Sequence, residues 1–288
     1  MSLARARDVD SRRYIFSWVI GSEDDLPADF PIPESAKSFQ IGVFLPRDDP
    51  GRFGRSHYPP RILLLHGGSM LVLTHPRCRE EPARIVLSDL AFCEFGHLLL
   101  IGWLRFVTAG FEVRLPYNTR SERPVNEFLD SLLCAWLGNG ANARNGGIAE
   151  FGAPLDIKFR NHLAAALQPQ EAFRARWFSP PSELLRRWGP FRVRSEVGGD
   201  LITVTDTRII WIRDRWNGWY ERYGSVTSTA PLRGVESVRC LRTGEQLHLT
   251  ITLLSGMSWR IPLSPQAYGE AEAFAETVRS HRQTDQSV

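Results

Sequence analysis

The sequence predicts a mainly β chain with α, arranged as two β-sandwich or barrel domains that are each closed by a C-terminal amphipathic helix. Three observations carry this expectation. Short apolar runs separated by turn residues recur through most of the chain. Twice the period changes to that of a helix straight after the last strand of a series. The two series also match each other, with Leu71 to Thr74 on Ile202 to Thr205, and from Leu115 and Ile261 onward at a steady offset of 146 residues that carries Phe128 onto Phe274.

Composition sets the outer limits. A chain of 288 residues with 43% hydrophobic and 11% aromatic content can fill two cores of ordinary size. A formal charge of +3 is too slight to mark a nucleic-acid surface, so no nucleic acid is expected as a partner. Only Lys37 and Lys158 are lysines, so 33 of the 35 cations are arginines, a skew read as compositional bias. The greasiest region, Leu98 to Val113, is cut by Arg105 and falls short of a membrane span. Arg12-Arg13 is followed by an apolar stretch too short for an export signal. Cys78, Cys93, Cys134 and Cys240 form no CxxC pair and suit a reducing compartment, so the cytoplasm is the default location.

Residues 1–60 read as an extended lead-in, rich in proline, within which Tyr14 to Ile20 and Phe39 to Leu45 are apolar enough to dock as strands. The first domain is expected over residues 61–137. Ile62 to Leu65 and Met70 to Thr74 flank His66-Gly67-Gly68-Ser69, a tight hairpin whose glycines supply positive φ. Arg84 to Phe95, Leu98 to Phe106 and Phe111 to Leu115 follow as strands. Val125, Phe128, Leu129, Leu132, Leu133 and Trp136 then share one helical face, with Pro124 near the start and Gly138 past the end. Residues 138–170 read as a Gly/Asn-rich linker and a short helix, Leu155 to Leu167.

The second domain is expected over residues 171–281. Phe173, Ala175 and Trp177 alternate with arginines, and Leu201 to Thr205 with Arg208 to Ile212 form a hairpin about Asp206-Thr207. Trp216-Asn217-Gly218-Trp219 is a type I′ turn signal. Val235 to Leu241, Leu247 to Leu253 and Trp259 to Leu263 complete the strands. Ser264 as N-cap and Pro265 at the first helical position open a helix with Tyr268, Ala271, Phe274, Ala275 and Val278 on one face. The tail at 282–288 is expected to be disordered.

The strand count and terminal helix resemble the pleckstrin-homology-like (PH-like) superfold, in particular tandem bacterial PH-like and GRAM-like domains. The segments that carry the resemblance are Leu71-Val72-Leu73-Thr74, Val204 to Trp211, Ala230-Pro231-Leu232 to Val238 and the terminal helix. The resemblance implies a noncatalytic cytoplasmic interaction or scaffold protein that binds a protein partner; it implies no catalytic residue and no cofactor.

The sharpest surface candidate is the arginine and aromatic series Arg208, Arg213, Arg215, Trp216, Trp219 and Arg222, which suits a protein partner. It also suits an anionic membrane surface, with peripheral attachment to the inner face of the membrane as the alternative location. His75-x2-Cys78 and Cys93-x3-His97 can be written as a two-plus-two zinc site, but Cys93 beside Phe92 in a strand reads as a buried free thiol, so no metal is expected. His66-Gly67-Gly68 has the look of an esterase oxyanion loop, yet no G-x-S-x-G elbow accompanies it. A hydrolase-type enzyme with an unrecognised site is the competing class. Tyr117-Asn118-Thr119-Arg120 is read as satisfying backbone between strand and helix.

Overall fold

A computed structural model of the chain describes residues 16–27, 30, 32–34, 37–46, 59–75, 78, 80–98, 101–138, 155–168, 171–188, 191–214, 224–243 and 246–285. The protein is mainly β, with three α-helices among the described residues. The chain forms two compact units. The first comprises residues 1–90, 99–105 and 112–140, and the second 91–98, 106–111 and 141–288. The expected boundary at residue 138 is therefore not a simple cut, because residues 91–98 and 106–111 group with the second unit.

In the first unit, β1 (Trp18–Ile20), β2 (Ile41–Leu45), β3 (Arg61–His66), β4 (Ser69–Thr74) and β5 (Ala83–Val86) form an antiparallel sheet in sequence order. The two strands expected to dock from the lead-in are thus members of this sheet: Phe44 faces Trp18 on one side and Ile62 on the other. In β3, consecutive Ile62, Leu63, Leu64 and Leu65 are all buried, which means that both faces of the sheet are covered. One face holds Ile20, Phe30, Phe44, Ile62, Leu64 and Leu73, with Trp18 stacked on Phe44 at 4.0 Å. The β3–β4 turn is built as expected, with Gly67 at φ 52° and Gly68 at φ 74°. Helix α1 (Glu122–Leu137) packs on β1 and β2 and buries the predicted stripe from Val125 to Trp136. Asn118 accepts a hydrogen bond from the Arg120 amide at 3.0 Å, the local role expected of that loop.

In the second unit, β6 (Leu90–Leu98) pairs antiparallel with β14 (Gly224–Pro231), and the order continues through β13 (Arg208–Arg213), β12 (Asp200–Thr205) and β9 (Phe173–Ser179). A hairpin of β10 (Ser182–Trp188) and β11 (Phe191–Val197), absent from the sequence expectation, stands between β9 and β12 in the chain. A second sheet holds β15 (Val235–Thr243), β16 (Gln246–Leu253) and β17 (Ser258–Leu263). Among the described residues no sheet closes on itself, so the barrel option is not what is observed.

The run Ile209-Ile210-Trp211-Ile212 looks uniform but divides by parity. Ile209 and Trp211 enter the core with Ile202, Val204, Leu249, Ile251, Trp259 and Phe274. Ile210 and Ile212 face the other way, onto Phe159 and Leu163 of α2 (Ile157–Ala166). Asp156 caps that helix by accepting from the Lys158 amide at 2.8 Å. Helix α3 (Tyr268–Asp285) closes the first core with Ala271, Phe274, Ala275 and Val278. Ser264 caps the one-turn 3₁₀ helix that leads into it, accepting from the Ala267 amide at 3.3 Å. The disorder expected after Arg282 is corrected as far as residue 285, since the helix continues to Asp285.

The order of elements recurs along the chain. After β5 come a 3₁₀ turn (Leu87–Asp89), β6, β7 (Ile101–Thr108), β8 (Glu112–Asn118), a 3₁₀ turn (Thr119–Ser121) and α1. After β14 come a 3₁₀ turn (Leu232–Gly234), β15, β16, β17, a 3₁₀ turn (Pro265–Ala267) and α3. Leu87 and Leu232, which open the first turn of each series, are both buried.

Candidate functional site

Five consecutive residues of β9, Arg174 to Phe178, line a groove of about 640 Å³ whose opposite wall is one face of α3. Glu270, Ala273, Phe274 and Thr277 supply that face at helical spacing of three, four and seven residues. Strand β9 gives it residues of both parities. Ala175 and Trp177 point to the core, Arg174 is exposed, and Arg176 and Phe178 are half-buried. Side chains of both parities line one groove only where the backbone edge between them also lies in it. That edge is the end of the strand order among the described residues, so β9 turns alternate amide and carbonyl groups outward. Ala273 is small and exposed, which leaves room on the helix side. The sequence had shown arginines alternating along β9, but nothing in it said that this strand would end a sheet.

The residues singled out from sequence fare differently. Arg208 is not at a surface: it is 1% exposed. Its Nε and Nη2 donate to the two carboxylate oxygens of Glu171 at 2.6 Å each, and Nη2 also donates to the Ala166 carbonyl at 2.6 Å. That carbonyl belongs to the last turn of α2, so the guanidinium satisfies a helix C-terminus. Thr205 and Thr207 hydroxyls donate to Glu171 as well. Burial pushes the Glu171 carboxyl up, but the Arg208 hydrogen bonds and charge, with the Gln168 amide and Thr207, outweigh it and hold the group below its usual value.

Arg213 is also buried. It donates to Glu94, which accepts from the Ser228 hydroxyl at 3.2 Å, and its guanidinium lies 4.1 Å from the Trp211 ring centroid. Both arginines are held by carboxylates in a desolvated setting, so the expectation that they present charge to a protein partner or an anionic membrane surface is corrected. Arg215, Trp216, Trp219 and Arg222 lie outside the described residues.

No group of three or more His, Cys, Asp or Glu suited to a metal is present among the described residues. Cys93 and His97 are separated by about 13 Å of extended strand with parallel side chains, too far to share one ion. Cys93 is buried, and burial pushes its thiol up to about 12. His97 instead stands 5.4 Å from the His162 ring, and both rings approach the Ser225 hydroxyl, at 3.5 and 3.4 Å. Lys158 beside them pairs with Asp214 at 2.6 Å. Ser225 is 2% exposed, so this hydroxyl is closed to a substrate carbonyl and makes no nucleophilic site.

No family model and no curated protein matches the chain. No described helix is long and apolar enough to cross a membrane.

Proposed function

We propose that the chain is a noncatalytic interaction protein built from two PH-like domains, and that it binds a protein partner at the groove between β9 and α3. The observation that carries the reading is the meeting of an open strand edge with a helix face that keeps small and charged side chains exposed. The PH-like assignment draws support from the second unit, where four strands, β14-β13-β12-β9, and three, β15-β16-β17, precede a terminal helix. The recurring order of elements ending in α1 and α3 supports duplication. The membrane alternative rests on Arg215, Trp216, Trp219 and Arg222 alone, since Arg208 and Arg213 are engaged inside.

A photo-crosslinking side chain placed at Thr277, in the groove, is expected to capture a discrete protein from cell extract, whereas one at Leu254, 66% exposed in a turn, captures none. Equal labelling from both positions would remove the groove as the contact. Co-sedimentation of the whole chain with anionic liposomes, abolished by Trp216→Ala with Trp219→Ala, would favour the membrane reading instead.

A further inference from the structure

We propose that α2 is an acid-released strap: protonation of the His97–His162 pair lifts the first turns of the helix off the sheet, while the Arg208–Glu171 clamp keeps its last turn in place. A helix of ten residues does not persist in water on its own, so α2 exists by virtue of its seat. That seat is small: Phe159, Leu163 and Ala166 are its buried residues, resting on Leu201, Ile210 and Ile212 beside Phe95 and Phe178. Polar contacts hold it at three levels. Near the start, Lys158 pairs with Asp214 at 2.6 Å and its Nζ donates to the Gly224 carbonyl at 3.4 Å. In the middle, His162 meets His97 of β6, and both rings converge on the Ser225 hydroxyl of β14, which is shut away from water. At the end, Arg208 binds the Ala166 carbonyl and both carboxylate oxygens of Glu171.

These levels answer acid differently. With both rings neutral, one imidazole nitrogen can donate to Ser225 while the other accepts its proton; with both charged, each presents N–H and the hydroxyl proton loses its acceptor. Two imidazolium rings with centroids 5.4 Å apart also repel each other and Lys158 where little water screens them. Burial, His97 and Lys158 accordingly pull His162 down to about 4, whereas an undocked ring takes its proton near 6.5. Acidification from pH 7 to pH 5 therefore favours the undocked helix by about tenfold or more. Asp214 pulls the other way. Burial first, and the Asp156 charge, raise its carboxyl above 3.8 against the pull of Lys158, so a proton there is held better with the helix closed, and release rests on the imidazoles. The clamp is the last to go: Glu171 is held below its ordinary 4.5, so Arg208 keeps its carboxylate at pH 5 and Ala166 becomes the hinge. What acid uncovers is apolar, Phe159 and Leu163 on the helix and Phe95 and Ile212 on the sheet.

Hydrogen exchange of the full chain, followed by mass spectrometry with each rate divided by the intrinsic rate at the same pH, reads the opening. Between pH 7 and pH 5, protection across residues 157–166 is expected to fall about tenfold or more relative to β13, and by less than about threefold in His162→Gln. Arg160→Gln removes a charge from an exposed position of the same helix and should behave as the native chain. A native thiol reads the hinge. Cys93 is buried on the helix side of β6, in register with Thr229 and through it with Ile210, and its thiol feels the Arg208 charge. A dithiodipyridine reagent, which attacks thiols in acid, should leave Cys93 unlabelled at pH 5 and label it in urea. Loss of protection in α2 and β13 together would overturn local release, because acid would then act on the whole unit. So would full protection of α2 at pH 5, an equal fall in His162→Gln, or retention of protection in Arg160→Gln. Labelling of Cys93 in step with the loss in α2 would overturn the hinge, since the helix would then leave whole.

Discussion

Replacing Arg208 by methionine keeps the unbranched stem of the side chain and removes the guanidinium, leaving Glu171 ionised with nothing but hydroxyls and one amide to answer it in a site from which water is excluded. The loss is expected to be about 3–5 kcal/mol, because the cost is that of an uncompensated buried charge and not of a missing contact. Arg208→Met with Glu171→Leu should recover much of it, and urea unfolding of the three variants measures the difference. Acid acts on the same pair. The Glu171 carboxyl is held below its ordinary 4.5 in the folded state, so the pair contributes fully above that value and its contribution is lost as the pH falls through the lowered one.

His162 loses its contribution in the same direction, but because the folded state favours its neutral form. Burial first, then the neighbouring His97 and Lys158, lower its imidazole from 6.5 to about 4. The unfolded ring takes up a proton at the higher value and the folded ring resists it, so its contribution is whole above pH 6.5 and drains away as the pH approaches about 4. Urea midpoints should therefore fall between pH 7 and pH 5 in the native chain and fall less in His162→Gln. An equal fall in both would place the dependence elsewhere.

At the scale of elements, packing decides what composition leaves open. Gly102 in β7 has no positive-φ requirement; it is needed because a β-carbon there would stand 2.3 Å from Cζ of Tyr117 in β8. Gly102→Ala should cost about 1–3 kcal/mol by thermal melting, and much less when added to Tyr117→Ala, since the ring it meets is then gone. The same logic separates what could be read in advance from what could not. The β3–β4 and β12–β13 hairpins, α1 and α3 were legible because their signals are local: paired glycines, a two-residue turn, a stripe at helical spacing. The β10–β11 hairpin was not, because Leu184-Leu185 breaks the period of two and Gly189-Pro190 reads as a loop. Arg208 and Arg213 looked like surface charges, since their partners Glu171 and Glu94 lie 37 and 119 residues away. The groove was equally hidden: alternating arginines mark a strand, but only the assembled order makes β9 an edge.

The second unit shows the largest departure from a chain read in sequence order, and it has a measurable consequence. A fragment cut at the expected linker, residues 141–288, keeps β9 to β17, α2 and α3, but lacks residues 91–98 and 106–111 of the unit, and with the first of these β6. Strand β14 would lose the partner that pairs with it from Gly224–Leu98 to Thr229–Cys93, exposing an apolar, Thr/Ser-rich edge. Arg213 would lose Glu94 and remain a buried cation beside Trp211, and the core would lose Phe92, which meets Trp259 edge-on at 5.7 Å. Each of these is a loss of a few kcal/mol, and together they rival the whole stability of a domain of this size. The fragment should therefore be poorly folded or aggregate, and supplying residues 88–100 as a separate peptide should restore amide protection in β13 and β14. A fragment that unfolds as cooperatively and at the same urea midpoint as the full chain would show that β6 contributes little to the unit, and that the linker is the true boundary after all.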